Sequence, residues 1–208
     1  MIEVHHLNNS RSQRILWLLE ELNAPYTLIK HLRDPQTNLA PDALKEIHPL
    51  GKSPVIVDNG EVIMESAAIC TYIIDKYAPK DFSPNPDDKD YYQYHELMHY
   101  AEGSAMLPFL LFLYSSVLGA AAAPLVDRIF SEMQNHIGYL STRLGSNDFF
   151  FRNTFSGTDI MLSFVLEAAD VSDQLKDFPN LKNTLAIYQS RSDYQVALEK
   201  GGEYKLGG

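Results

Sequence analysis

The first thirty residues alternate between strand-like and helical spacing of apolar side chains. Residues 2–6 form a short strand-like run, and Asn8-Asn9-Ser10 then supplies residue types that begin helices. Apolar side chains follow at helical spacing, at Ile15, Leu16, Leu18, Leu19 and Leu22. Asn23-Ala24-Pro25 ends that segment, and residues 26–30 are again strand-like. The pattern predicts a βαβ unit.

A hairpin and a helix are predicted next. Residues 54–58 and 62–64 flank Asn59-Gly60, whose tolerance of positive φ suits a tight turn between antiparallel strands. Ser66 is placed to cap a helix. That helix would bury one apolar side, made of Ile69, Cys70, Ile73, Ile74 and Tyr77. Cys70 in this position is predicted to fill core space.

Beyond residue 88 the pattern is helical throughout. Residues 78–88 include three prolines among polar side chains, which is typical of a linker. Helices are predicted at 91–118, 124–144, 157–170, 181–189 and 194–200. Pro108 should bend or interrupt the first of them, because proline removes a hydrogen bond and clashes one turn back. Ser156-Gly157-Thr158-Asp159 has the spacing of a capping box.

Composition and charge exclude several classes of protein. The 208 residues are 45% hydrophobic, enough for a substantial core, and carry a formal net charge of −10. A chain this acidic repels polyanions, so we expect no nucleic acid partner. No apolar run reaches the roughly 18 residues of a membrane span, so we expect a soluble, cytoplasmic protein with no membrane partner.

Cysteine and histidine predict neither an internal disulfide nor a metal site. Cys70 is the one cysteine of the sequence, so redox chemistry would need a thiol from outside. His95 and His99 have the i, i+4 spacing of a helical metal site, but no third ligand is near them in the sequence. We therefore expect no metal.

Three motifs follow one another along the chain, and their order and separation carry a resemblance. They are His48-Pro49-Leu50-Gly51-Lys52-Ser53-Pro54, then Glu65-Ser66, then the capping box at 156–159. Together with residues 9–22, they resemble the glutathione S-transferase family, particularly its bacterial and fungal members. The resemblance covers nearly the whole chain. It implies a thioredoxin-like α/β domain at 1–78, a linker at 79–88 and an all-α helical bundle domain at 89–208.

The resemblance also implies how glutathione is bound as co-substrate. The main chain of Ser53, which precedes a cis Pro54, would pair with the cysteinyl part of the tripeptide. Lys52 would bind the glycyl carboxylate. Ser66 would hold the γ-glutamyl carboxylate at the positive end of its helix, and Glu65 would bind the adjacent ammonium.

The glutathione thiol needs a hydrogen-bond donor, because a typical thiol has a pKa of about 8.5. By the resemblance, Ser10 is the serine-type donor, and Asn9 and Ser12 are alternatives; each could instead serve only as a helix cap. No tyrosine or cysteine occurs in residues 1–25. A tyrosine donor and a cysteine that exchanges disulfides are therefore excluded, and a hydroxyl or amide can only stabilise the thiolate.

The second substrate and the assembly are less well specified. A pocket for hydrophobic electrophiles is predicted between the domains, lined by Tyr100, Met106 and Phe109, although such an aromatic stripe is also typical of bundle core. The resemblance implies a homodimer in which Glu102 reaches the partner subunit's glutathione. The predicted activity is conjugation of glutathione to hydrophobic electrophiles, with glutathione peroxidase activity as a variant. The alternative is a non-catalytic binding or carrier protein of the same fold.

Overall fold

The computed structural model describes residues 1–79 and 82–206, which separate by their contacts into two units. The first unit holds residues 1–79, 82–83 and 189–206, and the second holds Pro84–Tyr188. The sequence places residues 189–206 with the helical domain, but their contacts assign them to the first unit. The domain limits implied by the resemblance otherwise stay a prediction.

A mixed sheet organises the first unit. Its strands are β1 (Ile2–Leu7), β2 (Tyr26–His31), β3 (Val55–Asp58) and β4 (Glu61–Met64). The spatial order is β2-β1-β3-β4. β1 is parallel to β2 and antiparallel to β3, and β3 is antiparallel to β4. The predicted βαβ unit and hairpin are both present, and Asn59 and Gly60 have positive φ in the turn.

The helices cover the sheet and build the second unit. In chain order they are α1 (Ser12–Glu21), α2 (Ala43–Ile47), α3 (Ser66–Tyr77), α4 (Tyr91–Tyr100), α5 (Leu107–Ser116), α6 (Ala123–Leu144), α7 (Gly157–Val171), α8 (Pro179–Ser190) and α9 (Ser192–Gly201). Ala101–Ala105 forms a π-helical turn and Gly119–Ala122 a 3-10 turn. The predicted interruption of the helix at 91–118 is confirmed, because Pro108 stands in the first turn of α5.

Side chains of the sheet alternate between two faces. On one face, Asp58 accepts a hydrogen bond from Tyr72 of α3 at 2.6 Å, and His6 lies 2.8 Å from the hydroxyl of Ser12 in α1. On the other face, Leu7 and Val55 pack with Leu44 of α2. The first face therefore carries α1 and α3, and the second carries α2.

The C-terminal helix is fastened along α1. The ring of Tyr194 meets Trp17 edge-on, with centroids 5.2 Å apart. Arg191 donates to both carboxylate oxygens of Glu21, at 2.5 and 2.7 Å, and Lys200 lies 2.7 Å from the carboxylate of Glu20. These contacts explain why α9 belongs to the first unit.

The second unit contains the capping motif that the sequence predicts. Ser156 and Asp159 form a complete capping box at the start of α7. Among the described residues, no helix is both long and apolar enough to cross a membrane.

Candidate active site

Three of the predicted motifs meet at one edge of the sheet. His5, near the end of β1, lies opposite Val55 at the start of β3, and Val55 lies opposite Met64 at the end of β4. Because both pairs are antiparallel, the segments just outside these strand ends share an edge. That edge holds residues 8–10, 52–54 and 65–66.

The turn between β1 and α1 is held in place by hydrogen bonds that its oxygen atoms accept. Asn9 has a φ of 52°, a left-handed conformation that asparagine tolerates better than most residues. The guanidinium of Arg33 donates to the main-chain oxygens of Asn8 and Asn9, both at 3.1 Å. The main-chain N–H of Arg33 also donates to the side-chain oxygen of Asn8 at 2.9 Å. Arg33 therefore fixes the backbone of this turn.

The hydroxyl of Ser10 points into the protein. Ser10 is 6% exposed, and its hydroxyl donates to the main-chain oxygen of Leu7 at 2.7 Å. Its oxygen lies 2.8 Å from Oγ of Ser12, which in turn lies 2.8 Å from Nδ1 of His6. Each hydroxyl has one proton to donate, so these internal acceptors can use both protons.

The neutral ring of His6 sets the direction of this network. Burial, with a smaller contribution from Lys30, lowers the pKa of His6 to about 4. The ring also forms a hydrogen bond with the main chain of Gly201, which lies beside Nε2. With the single ring proton on that side, Nδ1 accepts from the Ser12 hydroxyl, and the Ser10 proton remains with the Leu7 oxygen.

The side-chain amide of Asn9 has one partnered end and one open end. Its Oδ1 accepts the main-chain N–H of Lys205 at 2.6 Å. Its Nδ2 forms no hydrogen bond within residues 1–79 and 82–206. The half-buried Asn9 thus offers an unpaired donor at the sheet edge.

The segment just before β3 has main-chain groups that are available to a ligand. The Ser53–Pro54 peptide bond is cis, which confirms what the resemblance implies. The Ser53 hydroxyl donates to the main-chain oxygen of His5 at 2.9 Å, and no loop hydrogen bond in the described part of the chain uses the Ser53 main chain. The exposed Lys52 forms no ion pair with a described residue.

Glu65 and Ser66 stand at the start of α3, which has no side-chain cap. Glu65 has a φ of 69° and an exposed carboxylate, which makes no ion pair or hydrogen bond with any residue that the structure describes. Ser66 is 4% exposed, and α3 has no side-chain cap hydrogen bond. A glutamate in this conformation is strained, and such strain often accompanies a functional site.

The residues predicted to contact the electrophile and the partner's glutathione lie in the second unit. Met106 and Phe109 are each 5% exposed. Tyr100 is half-buried, its hydroxyl lies 2.7 Å from Nδ1 of His136, and burial raises its pKa. Glu102 lies in the π-helical turn. Their assigned roles stay predictions.

A separate groove in the second unit uses none of the predicted pocket residues. It has a volume of about 180 Å³ and an apolar wall of Leu107, Pro108, Leu111 and Ile129. Leu107 and Leu111 are about half exposed, at 52% and 48%.

Cys70 and His95 are both in contact with their surroundings in the structure. Cys70 is fully buried, as a core-filling residue must be. The ring of His95 packs against Tyr91, with centroids 4.4 Å apart. In the two described ranges, no group of three or more His, Cys, Asp and Glu side chains could hold a metal ion.

Comparison with known proteins agrees with this architecture. A family model described as the N-terminal domain of glutathione S-transferase matches residues 10–76. The chain is 34% identical to glutathione S-transferase 3 of Schizosaccharomyces pombe, over 96% of this chain and 88% of that protein. A crystal structure of a glutathione S-transferase from Actinobacillus pleuropneumoniae matches with a TM-score of 0.88 and 30% identity, covering 97% and 93% of the two chains. A sphingomonad glutathione S-transferase complexed with glutathione shares the fold, with a TM-score of 0.79, 20% identity and coverage of 96% and 98%.

The chain belongs to the glutathione S-transferase family. The predicted family, the thioredoxin-like α/β plus all-α fold class and the enzyme class, a glutathione transferase, are confirmed. Sequence reasoning missed two residues that hold the candidate site, Arg33 and Lys205. Neither stands in a motif, and their contacts with Asn9 span 24 and 196 positions of the chain.

Proposed function

We propose that this transferase joins the thiolate of glutathione to small hydrophobic electrophiles. The observation that supports the proposal is a set of groups at one sheet edge that have no hydrogen-bond or ion-pair partner among the described residues. It comprises the main chain of Ser53, Nδ2 of Asn9 and the side chains of Lys52, Glu65 and Ser66. Each has a partner on an extended, zwitterionic tripeptide thiol.

The two ends of glutathione suit the charged groups of this edge. Among the described residues Lys52 and Glu65 form no ion pair, so Lys52 is a cation available to the glycyl carboxylate and Glu65 an anion available to the ammonium group. The first N–H groups of α3 and the Ser66 hydroxyl suit the γ-glutamyl carboxylate, because a helix N-terminus favours negative charge. Between them, the Ser53 main chain can pair with the tripeptide as an added strand does.

The geometry favours Asn9 over Ser10 as the donor to the sulfur. The proton of Ser10 is held by the Leu7 oxygen, whereas Nδ2 of Asn9 lacks a partner among the described residues. A hydrogen bond to a charged group contributes about 1.5–3 kcal/mol. At about 1.4 kcal/mol per pKa unit, it would lower a thiol pKa of about 8.5 to near 7. The proposal therefore reverses the order in which the sequence ranks these two residues.

Once the thiol pKa is lowered, the conjugation itself needs little more from the protein. The thiol proton leaves to solvent, the sulfur forms a bond to the electrophilic carbon, and the leaving group departs with its bonding electron pair. Holding thiolate and acceptor together supplies the remaining rate gain. The comparisons support the family, the transferase class and glutathione as co-substrate. The hydrophobic electrophile, the homodimer and the cytoplasmic location are part of the proposal.

The decisive experiment measures turnover of an aryl halide, 1-chloro-2,4-dinitrobenzene, by the parent, Asn9→Ala and Ser10→Ala. We expect Asn9→Ala to lower kcat/KM about 30-fold at pH 6.5 while the protein still binds immobilised glutathione, since one charge-assisted hydrogen bond is lost. Ser10→Ala should lower the thermal midpoint and keep most of the activity. The opposite pattern would restore Ser10 as the donor.

Glutathione binding is tested with a matched pair of carboxylates. Glu65→Gln should raise the KM for glutathione about 10-fold, because the ammonium loses its charged partner. Glu61→Gln, at the other end of β4 and also exposed, should leave it unchanged. Equal effects would show that bulk charge, and not this site, binds the ligand.

The carrier alternative predicts a different combination of results. A protein that is retained on immobilised glutathione but turns over no aryl halide and no organic hydroperoxide would be a binding protein. Turnover of the hydroperoxide alone would identify the peroxidase variant.

A further inference from the structure

We propose that the C-terminal segment, residues 202–206, is a positioning element of the thiol site. The main-chain N–H of Lys205 holds the Asn9 amide in the one orientation that presents its NH2 group to the glutathione sulfur. This inference rests on the proposed function, because it assigns a use to the open end of that amide.

The end of α9 packs closely against β1 and the start of α1. A Cβ atom on Gly201 would lie 2.6 Å from Oε1 of Gln13 and 3.3 Å from the ring of His6, so only glycine fits without displacing them. Gly202 then has a φ of 92°, a conformation that glycine adopts readily and that turns the chain. The segment leaves α9 at this fixed point and reaches Asn9 three residues later, at Lys205.

The hydrogen bond decides which end of the amide is open. A main-chain N–H can only donate, so the atom 2.6 Å from the Lys205 nitrogen must be the amide oxygen. A rotated amide would place its own NH2 against that N–H. The open end is therefore the donor, Nδ2, which is the end that stabilises a thiolate.

The Asn9 backbone is fixed as well, so the whole residue is preorganised. Arg33 holds the Asn9 carbonyl at 3.1 Å, while Lys205 holds the side chain at 2.6 Å. Without Lys205, the amide could turn its oxygen towards the sulfur, where the partial negative charge of the oxygen would repel the thiolate. A donor that is already oriented needs no reorganisation energy when the thiolate forms.

The test removes the main-chain N–H of Lys205 by substitution and does not shorten the chain. Lys205→Pro lacks the donor, and Lys205→Ala is its matched control, because alanine keeps the N–H and loses the same side chain. The readouts are the pKa of bound glutathione, followed by thiolate absorbance, and kcat/KM for the aryl halide. We expect Lys205→Pro to raise the bound thiol pKa by about half to one unit and to lower kcat/KM at pH 6.5 about 3- to 10-fold. The KM for glutathione and both values for Lys205→Ala should match the parent.

A double variant separates positioning from a general effect of the tail. In an Asn9→Ala background, Lys205→Pro should cause no further change, because the amide that it positions is gone. Parent-like behaviour of Lys205→Pro, or an equal loss in the Asn9→Ala background, would overturn the proposal.

Amide exchange tests the bond without any glutathione. The Lys205 N–H should exchange faster in Asn9→Ala than in the parent, and Asn9→Asp, which keeps an acceptor, should preserve the protection. Equal exchange in all three proteins would refute the positioning bond while leaving the conjugation proposal intact. Failure of the parent to bind glutathione, with the exchange pattern as expected, would refute the thiol role of Asn9 together with the proposed function.

Discussion

The N-termini of α3 and α7 each carry a serine and an acidic residue, but the two helices begin in opposite ways. At α3, in the first unit, Glu65 takes a left-handed φ and no side chain caps the helix. At α7, in the second unit, Ser156 and Asp159 close a complete capping box. A serine and an acidic residue therefore accompany an uncapped helix N-terminus in α3 and a capped one in α7.

Asp159 shows how fully α7 is closed. Its Oδ1 accepts from the Tyr188 hydroxyl at 2.6 Å and from the Phe150 N–H at 3.1 Å, and its Oδ2 accepts from the Ser156 N–H at 2.9 Å and from the Ser156 hydroxyl at 3.2 Å. Burial raises its pKa to about 6 although all four donors pull the other way. A terminus satisfied by its own side chains has no capacity left for a ligand, whereas the start of α3 has.

The largest expected effect is loss of the α7 cap. Asp159→Ala removes the carboxylate that accepts from four donors in a fully buried site, so we expect it to lower the free energy of unfolding by about 4 kcal/mol. Urea unfolding at pH 7 measures the loss. Asp170→Ala, at the exposed end of the same helix, is the control and should change it by less than about 0.5 kcal/mol. A small loss for Asp159→Ala would mean that the cap is not what holds α7.

The pH dependence of the same carboxyl is the next effect in size. Its pKa in the folded protein, about 6, lies above the usual 3.8, so its contribution to stability is complete below about pH 4 and is lost as the pH rises through 6. At about 1.4 kcal/mol per unit, the change approaches 3 kcal/mol. The side chain of Asp159→Asn cannot titrate. The free energy of unfolding of the parent, measured relative to that of the variant, should therefore fall between pH 4 and pH 7. A difference that stays constant would contradict the raised pKa.

Sequence reasoning succeeded where a motif is local. The capping box spans four residues, and its spacing alone predicts it. The start of α3 is one residue off: Ser66 is predicted as the cap, but Glu65 occupies that position, because nothing in the sequence marks a glutamate with left-handed φ. The inward hydroxyl of Ser10 depends on a buried neutral His6, which the sequence does not show to be buried.

Long-range contacts and helix rotation account for the rest. Arg33 and Lys205 reach Asn9 from distant parts of the chain, so neither could be found from spacing. Met106 and Phe109 are predicted to line a pocket, and each is 5% exposed in the structure, so their role as pocket residues stays a prediction. A rotation of one helix by one residue decides between core and pocket, and an apolar stripe does not fix that rotation.

The smallest effects are expected from a pair of serine variants, one at the start of α3 and one at the start of α7. Ser66→Ala should leave the stability of the ligand-free protein within about 0.5 kcal/mol of the parent, since no side-chain cap is lost, and should weaken glutathione binding about 5-fold. Ser156→Ala should cost about 1 kcal/mol of stability and leave glutathione affinity unchanged. Thermal midpoints measured with and without glutathione report both quantities in one experiment. If Ser66→Ala destabilises the ligand-free protein as Ser156→Ala does, the start of α3 is a structural cap like that of α7, and the contrast between an open and a closed helix N-terminus disappears.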